Sequence, residues 1–267
     1  MRRTGRALEG RRKEDIPVII DLHVHSRYTR GCDLDPALIL RRAKDLGLDG
    51  VCFTELNSLD AAADLHALGK NGPVKAFVGM ELTTDRGHYL CYFPDPEAVP
   101  DPVQMWGSNA ERAWPARETV DSVRKLGGVV VAAHPYDRET PVAAGDFVFG
   151  LKELVGIEAY NARRKVHVNN LATEAAESLH LPSIGSSDTR GDIAELGKAA
   201  TVFPTEVENE AQLCAALQKG RFWPLLFGAP PPGLSSGATG ADRSKVSGAP
   251  KRGDRDRPRG GHRGRRR

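Results

Sequence analysis

Short apolar runs punctuate the chain at Pro17–Leu22, Gly50–Thr54, Ala76–Met80, Tyr89–Phe93, Gly128–Ala133, Leu154–Ala159, Pro182–Ile184 and Ala199–Phe203. Each has the length of a buried strand, and between most of them the apolar period lengthens to that of a helix. Asp35-Pro36 opens one helix as an N-cap followed by a first-turn proline, and Gly47 stands near its end. Further helical patterns cover Ser58–Leu68, Glu111–Leu126, Lys165–Leu179 and Asn209–Lys219. Strand and helix alternating from Ile16 to Phe227 predict an α/β fold around a parallel sheet, open or closed into a barrel.

The pattern stops at Gly228, where Gly-Ala-Pro-Pro-Pro-Gly gives way to a Gly/Arg/Pro-rich stretch nearly free of large apolar residues. Such a segment buries too little surface to offset the entropy of ordering. The expected organisation is therefore a basic N-terminal extension over 1–15, a single barrel domain over 16–228 and a disordered basic tail over 229–267. Charge follows the same boundaries. The net +3 resolves into +3 for residues 1–15 and +8 for 241–267, which leaves 16–240 at −8. An arginine-rich tail offers weak electrostatic contact to nucleic acid, and a solvated tail without a partner accounts for it equally well.

No apolar run reaches the eighteen residues of a membrane span. No apolar stretch follows the basic start Met1–Arg6 to make a signal peptide, so a cytoplasmic location is expected. Cys32, Cys52, Cys91 and Cys214 are scattered without a C-x-x-C pair, and reduced buried thiols suit them better than zinc ligation or disulfides.

The ionisable residues fall at the strand ends. The first strand runs into Asp21-Leu22-His23-Val24-His25-Ser26. With a strand period of two, Asp21, His23 and His25 should share one face while Leu22 and Val24 take the other. Glu81 closes the third strand and His88 follows a turn. His134 ends the strand from Val129, and Asp188 follows the strand from Pro182. In parallel βα architectures the carboxyl ends of strands converge on one rim. Histidines and carboxylates gathered there unpaired would be costly, and together they suit zinc, manganese or iron better than magnesium or calcium.

These residues resemble the motifs of the PHP (polymerase and histidinol phosphatase) superfamily. Asp21-Leu22-His23-Val24-His25-Ser26 is similar to its D-x-H-x-H-[ST] motif. Phe53-Thr54-Glu55-Leu56-Asn57 stands in the place of T-D-H-N, and Glu81 with His88 resembles the next block. Ala133-His134-Pro135 looks like the H-P motif, Glu158-Ala159-Tyr160-Asn161 resembles a segment past the family's middle, and Ser187-Asp188-Thr189-Arg190 occupies the place of S-D-x-H. The resemblance runs in family order from Ile19 to about Phe203.

What the resemblance implies is a distorted seven-stranded βα-barrel and a metal-dependent phosphoesterase. His23, His25, Glu81 and Asp188 would hold a first metal, and Glu81, His88 and His134 a second, with Glu81 bridging. Leu56 and Arg190 stand where the family has third-metal histidines, so two divalent ions (Mn, Zn or Fe) are expected and a third is not. Two such ions would activate a bridging water for in-line attack on phosphorus. Asp21 would orient a ligating histidine, and Arg190, as a fixed cation, would take over the third ion's electrostatic role. Arg27, Asn57, Asn161, Arg163, Arg164 and Arg190 are candidates for holding a small phosphorylated substrate. Three other functions stay open: a nucleic-acid-processing exonuclease-like enzyme, a non-catalytic metal- or nucleotide-binding barrel, and a hydrolase of another bond. Oligomeric state is not legible in the sequence.

Overall fold

The structure is a computed structural model that describes residues 16–107 and 113–227. The expected N-terminal extension and basic tail lie outside the described residues. Among the described residues nine strands form one sheet: β1 (Val18–Val24), β2 (Gly50–Leu56), β3 (Lys75–Thr84), β4 (Gly87–Tyr92), β5 (Val129–Ala133), β6 (Leu154–Asn161), β7 (Ser183–Ser186), β8 (Ala199–Phe203) and β9 (Trp223–Leu226). Their order is β7-β6-β5-β4-β3-β2-β1-β8-β9. Six helices accompany them: α1 (Pro36–Asp45), α2 (Ala62–Lys70), α3 (Pro102–Trp106), α4 (Ala116–Lys125), α5 (Val166–Leu179) and α6 (Glu210–Lys219). No helix among the described residues is long and apolar enough to cross a membrane.

The α/β barrel class agrees with expectation, but the sheet is mixed rather than parallel and has nine strands rather than seven. β1–β2–β3 and β5–β6–β7 pair in parallel, whereas β4 is antiparallel to both neighbours and β8 to β1 and β9. The cause at β3–β4 is connection length. Only Asp85 and Arg86 separate the two strands, far short of a parallel crossover, and Gly87 takes the positive φ (90°) that the tight turn needs.

Strand alternation sorts the core into two layers. Val51, Phe53, Val78, Met80, Val130 and Ile157 face outward and pack against Ile39 and Leu40 of α1, Leu65 of α2, Val123 of α4 and Ala176 of α5. Ile20, Leu22, Cys52, Phe77, Leu90, Tyr92, Val131 and Ile184 face inward. Leu213, Cys214 and Leu217 of α6 join this inner cluster, so α6 fills the inner face instead of covering the outer one. The sheet curls until β7 meets β8. Gly185 donates its amide to Thr201 Oγ1 (3.1 Å), and that hydroxyl donates back to the Gly185 carbonyl (2.8 Å). A Cβ at Gly185 would lie 2.5 Å from the Ala200 carbonyl, so only glycine lets the two strands approach this closely.

His66 of α2 ties three elements together. Nδ1 lies 2.6 Å from Glu97 Oε1 and Nε2 lies 2.8 Å from Glu210 Oε1, at the start of α6. Burial opposes the imidazolium, but the two carboxylates outweigh it and raise the pKa above the ordinary value. A raised histidine pKa contributes stability that is fully present below the unfolded value of about 6.5 and lost as pH rises through the folded value. Thermal melts of wild type and His66→Gln should therefore differ most below about pH 6.5 and converge as the pH is raised. A gap that widens with pH would reverse the assignment.

Candidate metal centre

The first strand does not deliver its motif in simple alternation. Between Asp21 and Val24, β1 advances three residues while its partner β2 advances two, from Val51 to Phe53. This one-residue bulge moves the following side chains to the opposite face. Leu22 consequently packs in the inner cluster and Val24 in the outer one, although the regular period puts them on the same side. His23 and His25 end up together on the inner rim, their Nε2 atoms 3.2 Å apart, and Asp21 faces away from them.

Among the described residues the Asp21 carboxylate contacts no imidazole ring, and its link to the histidine motif is through the backbone. Oδ1 accepts the Ser187 amide (3.0 Å) and the His23 amide (3.4 Å), and Oδ2 the Gly197 amide (3.2 Å), which anchors the segment carrying Asp188. Burial pushes its pKa up to about 6 against these amides, which lower it.

Four donor atoms converge at the first position. Glu81 Oε2 lies 3.2 Å from His25 Nε2 and 3.6 Å from His23 Nε2, and Asp188 Oδ1 lies 3.8 and 3.7 Å from the same two nitrogens. Donors about 2.0–2.1 Å from a tetrahedral ion are separated by roughly 3.4 Å, so the spacing of His23, His25 and Glu81 suits a divalent cation, with Asp188 standing slightly farther out. Glu81 offers its other oxygen to a second group, with Oε1 2.7 Å from His88 Nδ1 and 3.2 Å from His134 Nε2. Both triads, His23–His25–Glu81 and Glu81–His88–His134, bring one donor atom from each residue within 4.8 Å of the others. His88 is the more open member, with 14% of its side chain exposed.

The backbone is bent to achieve this. Asn57, His134 and Asp188, all on the rim, have positive φ (57°, 26° and 51°) without being glycine. Non-glycine residues held there cost of order 1–3 kcal/mol each and concentrate at functional sites.

Glu158 of β6 does the orienting that was expected of Asp21. Oε1 lies 2.8 Å from His23 Nδ1, as acceptor of its N–H, and also accepts from the Ser186 hydroxyl. Oε2 accepts the His134 amide (2.8 Å) and Asn161 Nδ2 (3.1 Å). Although burial would raise it, the neighbouring His23 and the hydrogen bonds bring the Glu158 pKa down to about 2. His23 is likewise opposed by burial, yet the carboxylates of Glu158, Asp188 and Glu81 raise its pKa well above the ordinary value. For Glu81 burial is again outweighed, by His23 and His88, and its carboxyl is held well below the usual range. His25 is oriented separately, with Nδ1 3.1 Å from Thr29 Oγ1, whose hydroxyl donates to buried Glu55. Thr29 carries no signal in the sequence, and Glu158 stands there only as the head of the segment Glu158–Asn161 that resembles the family, without a role of its own. A lone glutamate inside the apolar run Leu154–Ala159 was the available signal for that role.

The expected substrate residues divide. Asn57 accepts the Thr83 amide with Oδ1 (2.7 Å) and holds the β2 end against β3. Asn161 is fully buried, bridging Glu158 and Asp188. Arg27 is exposed and pairs with Asp35 (3.0 Å). Arg190 donates from Nη2 to the Arg30 carbonyl (3.2 Å) and, among the described residues, to no member of the donor cluster. The arginines that reach the cluster are Arg163 and Arg164, both on Asp188. The four cysteines are buried and unpaired.

A family model described as the PHP domain matches residues 21–181, and one described as PHP-associated matches 166–222. An uncharacterized protein of Methanocaldococcus jannaschii is 30% identical over 165 residues, 57% of this chain and 87% of that protein. Two of the solved structures that share the fold illustrate the range. One, of a Bifidobacterium adolescentis protein named as a candidate metal-dependent phosphoesterase, has a TM-score of 0.56 at 17% identity, covering 75% of this chain and 96% of the other. The second is the lesion-specific endonuclease EndoQ of Pyrococcus furiosus, with a TM-score of 0.57 at 18% identity over 78% of this chain and 57% of the other.

Proposed function

The chain belongs to the PHP domain family, and from that premise we propose that it hydrolyses a small phosphate ester with two divalent transition-metal ions. The observation that carries the proposal is the double use of Glu81, one oxygen in a four-donor set with His23, His25 and Asp188, the other with His88 and His134. Bound there, two ions would supply an activated water and neutralise the non-bridging phosphate oxygens.

The chain's own residues have distinct tasks in this proposal. Glu158 fixes the His23 tautomer so that Nε2 is free to ligate, and Thr29 does the same for His25. Arg164 and Asn161 engage Oδ2 of Asp188 and leave Oδ1 to the first position. The three-donor set around His88 leaves coordination positions for water and substrate, as catalytic sites do. Arg163 is the cation best placed to meet a phosphate.

Elemental analysis of untagged protein should find about two metals per chain, with Mn-stimulated hydrolysis of an aryl phosphate that His134→Ala abolishes. Three metals per chain would overturn the two-ion proposal. Metal binding without hydrolysis of monoesters, diesters or single-stranded DNA would point to a binding barrel instead.

A further inference from the structure

Two adjacent arginines meet the two oxygens of Asp188 in different ways. Arg164 has only 13% of its side chain exposed. Nη2 donates to Oδ2 at 2.8 Å, while Nε lies 3.0 Å from Oδ2 of buried Asp137. The Nε–H direction misses that oxygen, so the Asp137 contact is an ion pair without a formed hydrogen bond. Asn161 Nδ2 adds a second donor to Asp188 Oδ2 at 3.2 Å. Arg163 is more exposed, at 34% of its side chain, and makes only longer contacts: Nη1 lies 3.5 Å from Oδ1 and 3.3 Å from the Asp188 carbonyl.

Oδ1 is the oxygen that faces His23 and His25, the one with which a cation in the first position would bond. A divalent ion about 2 Å from Oδ1 and a guanidinium on the same oxygen repel each other. Arg164 cannot leave without taking the close counter-charge from buried Asp137 and from Oδ2 of buried Asp188, but the more exposed Arg163 can swing into solvent.

We propose that Arg163 is an exchangeable counter-ion of Asp188. It covers Oδ1 while the first position lacks a cation and turns to a phosphate oxygen of the substrate once a cation is held. Arg164 stays fixed in both states and acts as a positioning residue for Asp188. The second half of this exchange rests on the phosphoesterase reading given above; the first half does not. The arrangement couples the two events, because the metal that activates the site also releases the arginine that grips the substrate.

The two arginines should then shift metal affinity in opposite directions. Calorimetric titration of the metal-stripped full chain with Mn²⁺ should show Arg163→Gln binding about three- to tenfold tighter, the effect of one partly screened charge. Arg164→Gln should bind about 10–100-fold weaker, as expected when the partner of a ligand is lost, with partial recovery in Arg164→Lys. Inorganic phosphate should bind Mn-loaded Arg163→Gln about tenfold or more weakly than wild type. Far-UV circular dichroism of each variant confirms that it is folded. Unchanged or weaker Mn²⁺ binding in Arg163→Gln overturns the exchange. Tighter Mn²⁺ binding with unaltered phosphate binding overturns the handover to substrate. A wild type that binds Mn²⁺ and hydrolyses no phosphate ester refutes the proposed function, yet leaves the opposed metal affinities to be read.

Discussion

Glu81→Gln should lose both metals together and, with them, hydrolysis by about 10³-fold or more. The two side chains have nearly the same shape, so the change is one of charge and donor quality. Glu81 Oε2 stands beside His25 and His23, and Oε1 beside His88 and His134. An amide nitrogen in either place has no lone pair for a metal, and an amide oxygen cannot compensate two dications. Elemental analysis alongside the kinetics is the decisive measurement. Loss of one metal with the other retained would show that Glu81 serves a single position. Two metals with intact turnover would refute the bridging role altogether. His88→Ala supplies the contrast, because it should deplete only the second position.

Glu158→Gln is the second large effect, and it should act without touching a metal. Its carboxylate is fully buried and joins His23, Ser186, Asn161 and the His134 amide. Neutralising it removes the nearest of the three carboxylates around His23 and the charged acceptor of its Nδ1. Metal affinity should fall about 10–100-fold. Metal-free stability should fall on the order of 3 kcal/mol at neutral pH. The pH dependence gives a separate readout. The folded pKa, near 2, is depressed from the ordinary 4.5, so its contribution is present above about pH 4.5 and lost as pH falls toward 2. Urea unfolding of the metal-free proteins should therefore show a difference that is constant from pH 7 to 5 and shrinks on further acidification. A difference that grows in acid would mean that Glu158 is not ionised in the folded chain.

Particular residues explain what was legible in the sequence and what was not. His23, His25, Glu81, His88, His134 and Asp188 announced themselves because polar side chains at the ends of apolar runs violate the burial pattern, and the fold gathers their donor atoms on one rim. The role of Glu158 was hidden because its four partners come from β1, β6, β7 and the residue that follows β5, which only tertiary structure brings together. The antiparallel β4 was legible in principle, since the link between β3 and β4 is too short for a crossover. β9 was missed because Pro224 interrupts a four-residue strand at the sheet's end, where proline is tolerated. Arg190 drew attention by its place in a motif, but its guanidinium found the Arg30 carbonyl nearby. A motif position specifies where a backbone goes and leaves the direction of a long side chain open.

The bulge in β1 makes Asp21 and the two histidines structurally independent despite their regular spacing. Here the extra residue lets Leu22 and His23 both face inward between Asp21 and Val24, so taking one residue out would leave a single inward position for the two and cost either the core leucine or the imidazole. The stretch between Asp21 and Val24 should thus tolerate no shortening without the loss of one of the two side chains it presents to the inner face.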